Sequence, residues 1–318
     1  MISTELILQH GKTIMSPPVV DGVSIEWERK GQPGKLSFEV IKTDSLFFDE
    51  GDSCRFSVGD KHMFYGFVFD KSRSGAKSES IKVTVYDQLY YFKNKTYFEY
   101  SNLTADGVTS RLAKDFGLNI GTLENTGFII PSRLEENKSI FDITSSALDL
   151  TLSNNGQMYV IYDDAGKLML KSIGNMKLNT VIDRDTAGDF DYKTSISDEV
   201  YNAVVLYRDG QEPVAVYDEA NIKKWGMLQY CEKVSEKNVN LGQMANSLLS
   251  LYNTKKRTLS VKNVLGDVRV RGGSMVPVIL SLGDIEVSSY LLVEQVKHTF
   301  KDNEHFMELK LRGGNFVA

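Results

Sequence analysis

Apolar and polar residues alternate with a period of two over most of this chain, the mark of half-buried strands. Val23, Ile25 and Trp27 alternate with Ser24, Glu26 and Glu28, and after Gly31-Gln32-Pro33-Gly34 the alternation resumes with Leu36, Phe38 and Val40. This predicts a hairpin with one buried and one wet face. A second hairpin is expected to pair Ser53–Val58 with His62–Asp70 across Gly59-Asp60-Lys61. Beyond the polar, loop-like tract Ser72–Ser80, Ile81, Val83 and Val85 open another strand. Short strands with turns at this spacing favour a closed or nearly closed β unit over residues 1–100.

Between Asn102 and Leu152 the period changes to that of helices. Thr104 has the hydroxyl of a good N-cap, Val108, Leu112, Ala113 and Phe116 recur at helical spacing, and Gly117 stands where a left-handed residue would end the helix. A second helix is predicted to start near Ser139, with Asp142 as its capping-box partner and Ile140, Phe141, Ile143, Thr144, Ala147, Leu148 and Leu150 as a broad apolar face. Pro131 ends the apolar run Phe128–Ile130 between them. Helices this short do not stand alone in water, so both must dock on the flanking strands.

A hairpin follows, Gln157–Tyr162 with Lys167–Lys171, turned by Asp163-Asp164-Ala165-Gly166. The polar run Asp183–Ser197 reads as a connection. Strands are expected at Val200–Tyr207, Pro213–Tyr217 and Met227–Cys231, then a helix from the cap Asn240 to about Tyr252. Arg257–Val264, Met275–Leu280, Tyr290–Phe300 and His305–Leu311 close the chain. With Asp302-Asn303 as the last turn, Lys297 faces Glu308 and Gln295 faces Lys310 on a solvated face. The opposite face carries Val296, His298 and Phe300 against His305, Met307 and Leu309. The expected fold is a β-rich α+β, with small antiparallel β-barrel-like units at the two ends. The expected parts are 1–100, a middle α+β part 101–194 of two helices and a hairpin, and 195–318 with one packed helix.

Composition narrows the function classes. The chain has 318 residues, of which 42% are hydrophobic and 25% charged, a globular balance. A formal net charge of −5 without a basic stripe argues against general nucleic-acid affinity. Met1-Ile2-Ser3-Thr4-Glu5-Leu6 lacks the basic start and apolar core of a signal peptide, and no apolar run approaches the roughly 20 residues that span a bilayer. Cys54 and Cys231 fall in strand-like text and are expected to be buried thiols of a protein made in a reducing cytosol.

Three places invite a chemical reading. His298 and His305 lie diagonally on one face, within metal-bridging reach, but a catalytic zinc needs a third ligand, and neither HExxH nor CxxC occurs. Asp183-Arg184-Asp185-Thr186-Ala187-Gly188-Asp189-Phe190-Asp191 carries acids at positions one, three, seven and nine of a calcium loop, yet position twelve is Thr194, where a bidentate Glu belongs. A solvated loop is the better reading. Glu135-Glu136 reads as a solvated pair, because adjacent residues cannot face each other across a glycosidase cleft. No nucleophile elbow, phosphate-binding loop or dinucleotide fingerprint is present. Catalytic, metal and cofactor-binding residues are therefore expected to be none.

Several segments, in order, resemble one family. They include Leu103-Thr104-Ala105-Asp106, Leu112-Ala113-Lys114-Asp115-Phe116-Gly117, Lys138-Ser139-Ile140-Phe141-Asp142-Ile143 and Ala147-Leu148-Asp149-Leu150-Thr151. Further on stand Tyr201-Asn202-Ala203-Val204, Lys224-Trp225-Gly226-Met227-Leu228-Gln229-Tyr230, Lys256-Arg257-Thr258-Leu259-Ser260, Leu282-Gly283-Asp284-Ile285, Tyr290-Leu291-Leu292-Val293-Glu294 and Leu311-Arg312-Gly313-Gly314. Together they resemble the baseplate or tail hub proteins of contractile phage tails and phage-tail-like bacteriocins (tailocins), the XkdQ-like branch, related to late control D hub proteins. The resemblance implies a non-enzymatic structural protein of the virion or tailocin. It implies a homotrimeric ring joining the tail tube protein to the central spike protein, with tape-measure and other baseplate proteins as further neighbours. Some members of this branch carry a hydrolase label, but no residues here would carry a hydrolysis. A tail-associated peptidoglycan hydrolase or a β-rich binding module are the alternatives.

Overall fold

The alternating text forms strands in the computed structural model, which describes residues 2–73, 79–197, 199–234, 240–283 and 286–313. The first part holds β1 (Thr4–His10), β2 (Thr13–Met15), β3 (Val19–Glu28), β4 (Lys35–Ile41), β5 (Ser53–Val58), β6 (Lys61–Ser72) and β7 (Ser80–Tyr86). The predicted hairpin is β3–β4, with Ile25 opposite Leu36 and Val23 opposite Phe38. The tract Ser72–Ser80 lies in part outside the described residues, as do Asp284, Ile285 and Gly314.

The middle part holds β8 (Lys95–Tyr100), α1 (Ala105–Asp115), β9 (Ile120–Leu123), β10 (Arg133–Ser139), α2 (Ile140–Asn155), β11 (Tyr159–Asp163) and β12 (Leu168–Ser172). Both helices start where their caps predict. Gly107 N–H donates to the Thr104 hydroxyl at 3.4 Å, and Asp142 N–H donates to Ser139 Oγ at 3.1 Å while Ser139 N–H donates to Asp142 Oδ2 at 3.2 Å. Gly117 is left-handed, at φ +65°. The helices bury Val108, Leu112, Ile140 and Ile143 against Leu89, Phe92 and Phe98. Two strand pairings here escape the sequence reading: β8 with β10, and β9, which adds in parallel to β12.

The rest holds β13 (Asp189–Ser195), β14 (Ala203–Tyr207), β15 (Val214–Tyr217), α3 (Glu219–Trp225), β16 (Gln229–Lys233), α4 (Leu241–Tyr252), β17 (Lys256–Leu265), β18 (Met275–Ser281), β19 (Glu286–Lys301) and β20 (Glu304–Gly313). In the β19–β20 hairpin Lys297 faces Glu308 and Gln295 faces Lys310, as the pattern predicts. The polar run read as a connection is only partly one, since β13 pairs along β17. Its side chains are mostly exposed, so it lacks the apolar alternation that marks a strand in sequence.

The architecture is β-rich α+β. The two terminal β regions, read as separate units, form one continuous sheet of order β13-β17-β20-β19-β3-β4-β7-β6-β5-β1-β2, with β18 also on β19. The reason is the length of β19. At 16 residues, it takes β18 along its first half and β3 along its second, while β20 lies on its other edge. At the seam with β3, Val296 lies opposite Trp27, His298 opposite Ile25 and Phe300 opposite Val23. One hydrophobic core therefore spans both ends of the chain, from Leu6, Ile25 and Phe56 to Val261, Val296 and Leu309. A small separate core, Val204, Leu206, Val234, Leu241 and Ala245, lies between the sheet β15-β14-β16 and α4.

Candidate functional site

The structure explains each place singled out by chemistry. His298 and His305 meet inside the core, with His298 Nδ1 2.8 Å from His305 Nε2 and His298 Nε2 2.9 Å from the Val270 carbonyl. A carbonyl only accepts, so His298 carries its proton on Nε2 and its Nδ1 accepts from His305 Nε2–H. Burial lowers their pKa values to about 3 for His298 and about 4 for His305. The pair is a neutral core hydrogen bond, edged by Trp27 and stacked on Phe300. Among the described residues, no three His, Cys, Asp or Glu side chains gather to hold a metal ion.

Glu135 and Glu136 part company. Glu136 is exposed, but Glu135 is buried on β10 and pairs with Lys138 Nζ at 2.8 Å, so the solvated reading fails for Glu135. The Asp183 carboxylate accepts from Asp185 N–H, Thr186 N–H and the Thr186 hydroxyl, closing a local turn rather than a cation loop. Asp189 and Asp191 belong to β13. Cys54 is buried, but Cys231 is exposed on the outer face of β16, against the expectation of two buried thiols. That outer face also presents the exposed Tyr207 and Tyr217, because Val204, Leu206 and Val216 point the other way, under α4.

A polar site that the sequence reading missed lies where the three expected parts of the chain meet. Asp87 caps the 3₁₀ turn Gln88–Lys93. Its buried carboxylate accepts from Leu89 N–H at 3.0 Å and Gly34 N–H at 2.9 Å. Only glycine fits at position 34, since a Cβ there would overlap Asp87 Oδ2 and the Trp27 indole. Gln88 Nε2 donates to Asp163 Oδ2 at 2.7 Å, and Asp163 Oδ1 accepts from Gly166 N–H at 2.7 Å. Gly166, at φ +90°, turns the β11–β12 hairpin against the Tyr65 ring. From the opposite side, Arg271 Nη1 donates to the Asp163 carbonyl at 2.8 Å and Nη2 to Asp164 Oδ1 at 3.3 Å. Its guanidinium lies 4.4 Å from the Tyr162 ring centre and 5.0 Å from that of Trp27. Burial raises the pKa of both carboxyls, Asp87 well above its ordinary value with Asp163 as the next cause, and Asp163 to about 6. In sequence Asp163-Asp164-Ala165-Gly166 is only a turn, and nothing local connects it to Asp87 or Arg271.

Beside this junction is a cleft of about 510 Å³ between α2, α4 and the strand ends, lined by Arg29, Phe141, Leu152, Leu248, Tyr252 and Arg312 among others. Its rim is tied by ion pairs: Arg29 Nε to Glu294 at 2.7 Å, Arg312 to the same carboxylate at 3.3 Å, Lys30 to Asp149 at 3.2 Å, and Lys256 to Glu199. Each of these carboxylates faces a cation. Such pairs tie the strand ends to one another and, through Asp149, to α2.

Similarity to known proteins gives the chain a family and a fold. A family model described as YQBQ-like matches residues 23–312. YqbQ of Bacillus subtilis (strain 168) is 30% identical over 312 residues, covering 94% of each chain. The phage-like element PBSX protein XkdQ of the same strain is 28% identical over 303 residues, covering 92% of this chain and 91% of that one. Among solved structures, the 43 kDa tail protein of prophage MuSo2 from Shewanella oneidensis superposes with a TM-score of 0.72 at 13% identity, over 99% of this chain and 100% of that one. At that identity the likeness is one of fold.

Proposed function

Because the chain belongs to the YQBQ-like family, we propose that it is a structural component of a phage tail or phage-tail-like particle and, within it, the baseplate hub. In this reading three copies form a ring that joins the tail tube to the central spike. The relative XkdQ is a protein of a phage-like element, and the fold is that of a prophage tail protein, which supports a particle component over a free enzyme. The observation that carries the hub reading is the joined sheet. Each chain holds two β lobes, from its terminal parts 1–100 and 195–318, around one core. Three such chains offer six β surfaces to a sixfold tube and keep threefold symmetry for a spike. Neighbours in a ring meet through unlike surfaces. Two are available here, because the sheet ends in β13 on one side and β2 on the other. The cleft fits the same reading, with charged pairs that tie the strand ends to one another and, through Lys30 and Asp149, to α2.

A reconstruction of the assembled particle tests the reading. Three copies in a ring between tube and spike are expected, while one copy, six copies or a place outside the tail axis would overturn it. A peptidoglycan digestion assay separates the hydrolase alternative. The purified chain is expected to release nothing, and release abolished by Glu135→Gln or His305→Gln would replace the structural reading with an enzymatic one.

A further inference from the structure

We propose that the β11–β12 hairpin is latched onto the large sheet by a proton held within the Asp87–Asp163 pair, so that docking of the middle part tightens in acid and loosens as pH rises. The geometry makes the case. Two carboxyl groups are buried in one junction, Asp87 from the sheet side and Asp163 from the hairpin, joined through Gln88. The cation that faces them, Arg271, gives one hydrogen bond to the Asp163 carbonyl and one to the Asp164 carboxylate, so its charge is shared with a third acid.

The other charged groups around the pair are already engaged. Asp267 and Arg269, in the loop that carries Arg271, bind one another at 2.7 Å. Lys61, on β6, donates to the Val268 carbonyl. Tyr162 lies under the Arg271 guanidinium, and His298 and His305 are neutral and bonded to each other. Among the described residues, Asp87 and Asp163 receive only amide donors: Gly34, Leu89, Gly166 and the Gln88 side chain. Four neutral donors and a shared arginine do not balance two carboxylates out of water, and retaining one proton removes the excess charge. The two acids then titrate as a pair.

When the hairpin lifts, both carboxyls reach water and return to the ordinary range near pH 4. The docked state therefore binds more protons than the lifted one between about pH 4 and the raised values. By linkage, docking is strongest at the acid end of that window and weakens as pH climbs through about 6, where Asp163 gives up its proton. Gly166 and Gly273 let the two surfaces approach this closely, since a Cβ at each would overlap Tyr65 and Val160 respectively. So close a fit keeps water from screening the pair.

The test uses the full chain. Amide hydrogen exchange of residues 159–172, corrected for intrinsic rates, is followed from pH 5 to pH 8. The expected result is a roughly tenfold rise in hairpin opening across that range, abolished in Asp163→Asn and in Asp87→Asn. Opening that does not change with pH, or that changes equally in the variants, would overturn the proposal. If a variant fails to fold, carboxyl ¹³C shifts of the wild-type chain decide: a proton retained on the pair above pH 6 supports the latch, and two titrations near pH 4 refute it.

Discussion

The large sheet and the small unit at 203–252 are built from the same kind of alternating strand, yet they rest on different foundations. In the sheet, β3 and β19 bring residues from opposite ends of the chain into one core, and Ile25, Leu36, Val85, Val276 and Val296 have no exposed surface. In the small unit one face of β15-β14-β16 is covered by α4, and the core is Val204, Leu206, Val234, Leu241 and Ala245. The short helix α3 buries nothing. Tyr207, Tyr217 and Met227 stay 40–58% exposed. A core this small holds little stability by itself. The difference teaches that strand pattern sets which face is apolar, while the number of layers laid against that face sets how firmly the unit stands.

The largest expected effect breaks the sheet at its seam. Phe300 is buried opposite Val23, with its ring 4.9 Å from that of Phe56. Phe300→Ala should cost about 3–5 kcal/mol, a large share of a domain's stability. Urea unfolding followed by hydrogen exchange should show β3 and β19 lost together. Loss of β19 with β3 intact would mean that the two ends do not share one core.

Leu206→Ala removes a side chain with no exposed surface from the small core and should cost about 2–5 kcal/mol there. The effect should remain local. Exchange should accelerate over residues 203–252 while β3 and β19 keep their protection, and parallel opening of those two strands would erase the distinction between the regions.

Acid probes the seam more gently, through His298 and His305. Unfolded histidines take up protons near pH 6.5, but the buried pair does so only near 3 and 4. The unfolded state thus binds more protons in between, so the stability due to neutral burial is complete above about pH 6.5 and is lost as pH falls. Each ring forfeits roughly 1.4 kcal/mol for every pH unit below that point, so the loss by pH 4.5 should be about 2.7 kcal/mol per ring. Asp163 titrates in the opposite sense and offsets part of it. The check is unfolding free energy at pH 7 and pH 4.5 for the native chain and for His298→Leu with His305→Met. The double variant should lose less in acid, and equal losses would remove the histidines from the account.

What the sequence by itself determined is local. Thr104, Ser139 and Asn240 cap the helices whose starts they mark, because a cap depends on atoms three residues away. The register of β19 with β20 follows from its turn, because a hairpin's alternation allows one pairing that keeps Val296 and Leu309 on the same side. Only the tertiary structure decided which strands lie beside which. Period-two alternation assigns a face but names no neighbour. The seam of β3 with β19, the edge strand β13 and the parallel β9 were therefore not legible. The same limit hid the Asp87–Asp163 junction: its members are 76 positions apart, each is an ordinary cap or turn residue in its own segment, and only close packing that excludes water makes them a pair. His298 and His305 were legible as neighbours, but their neutrality is a consequence of the core that closes over them.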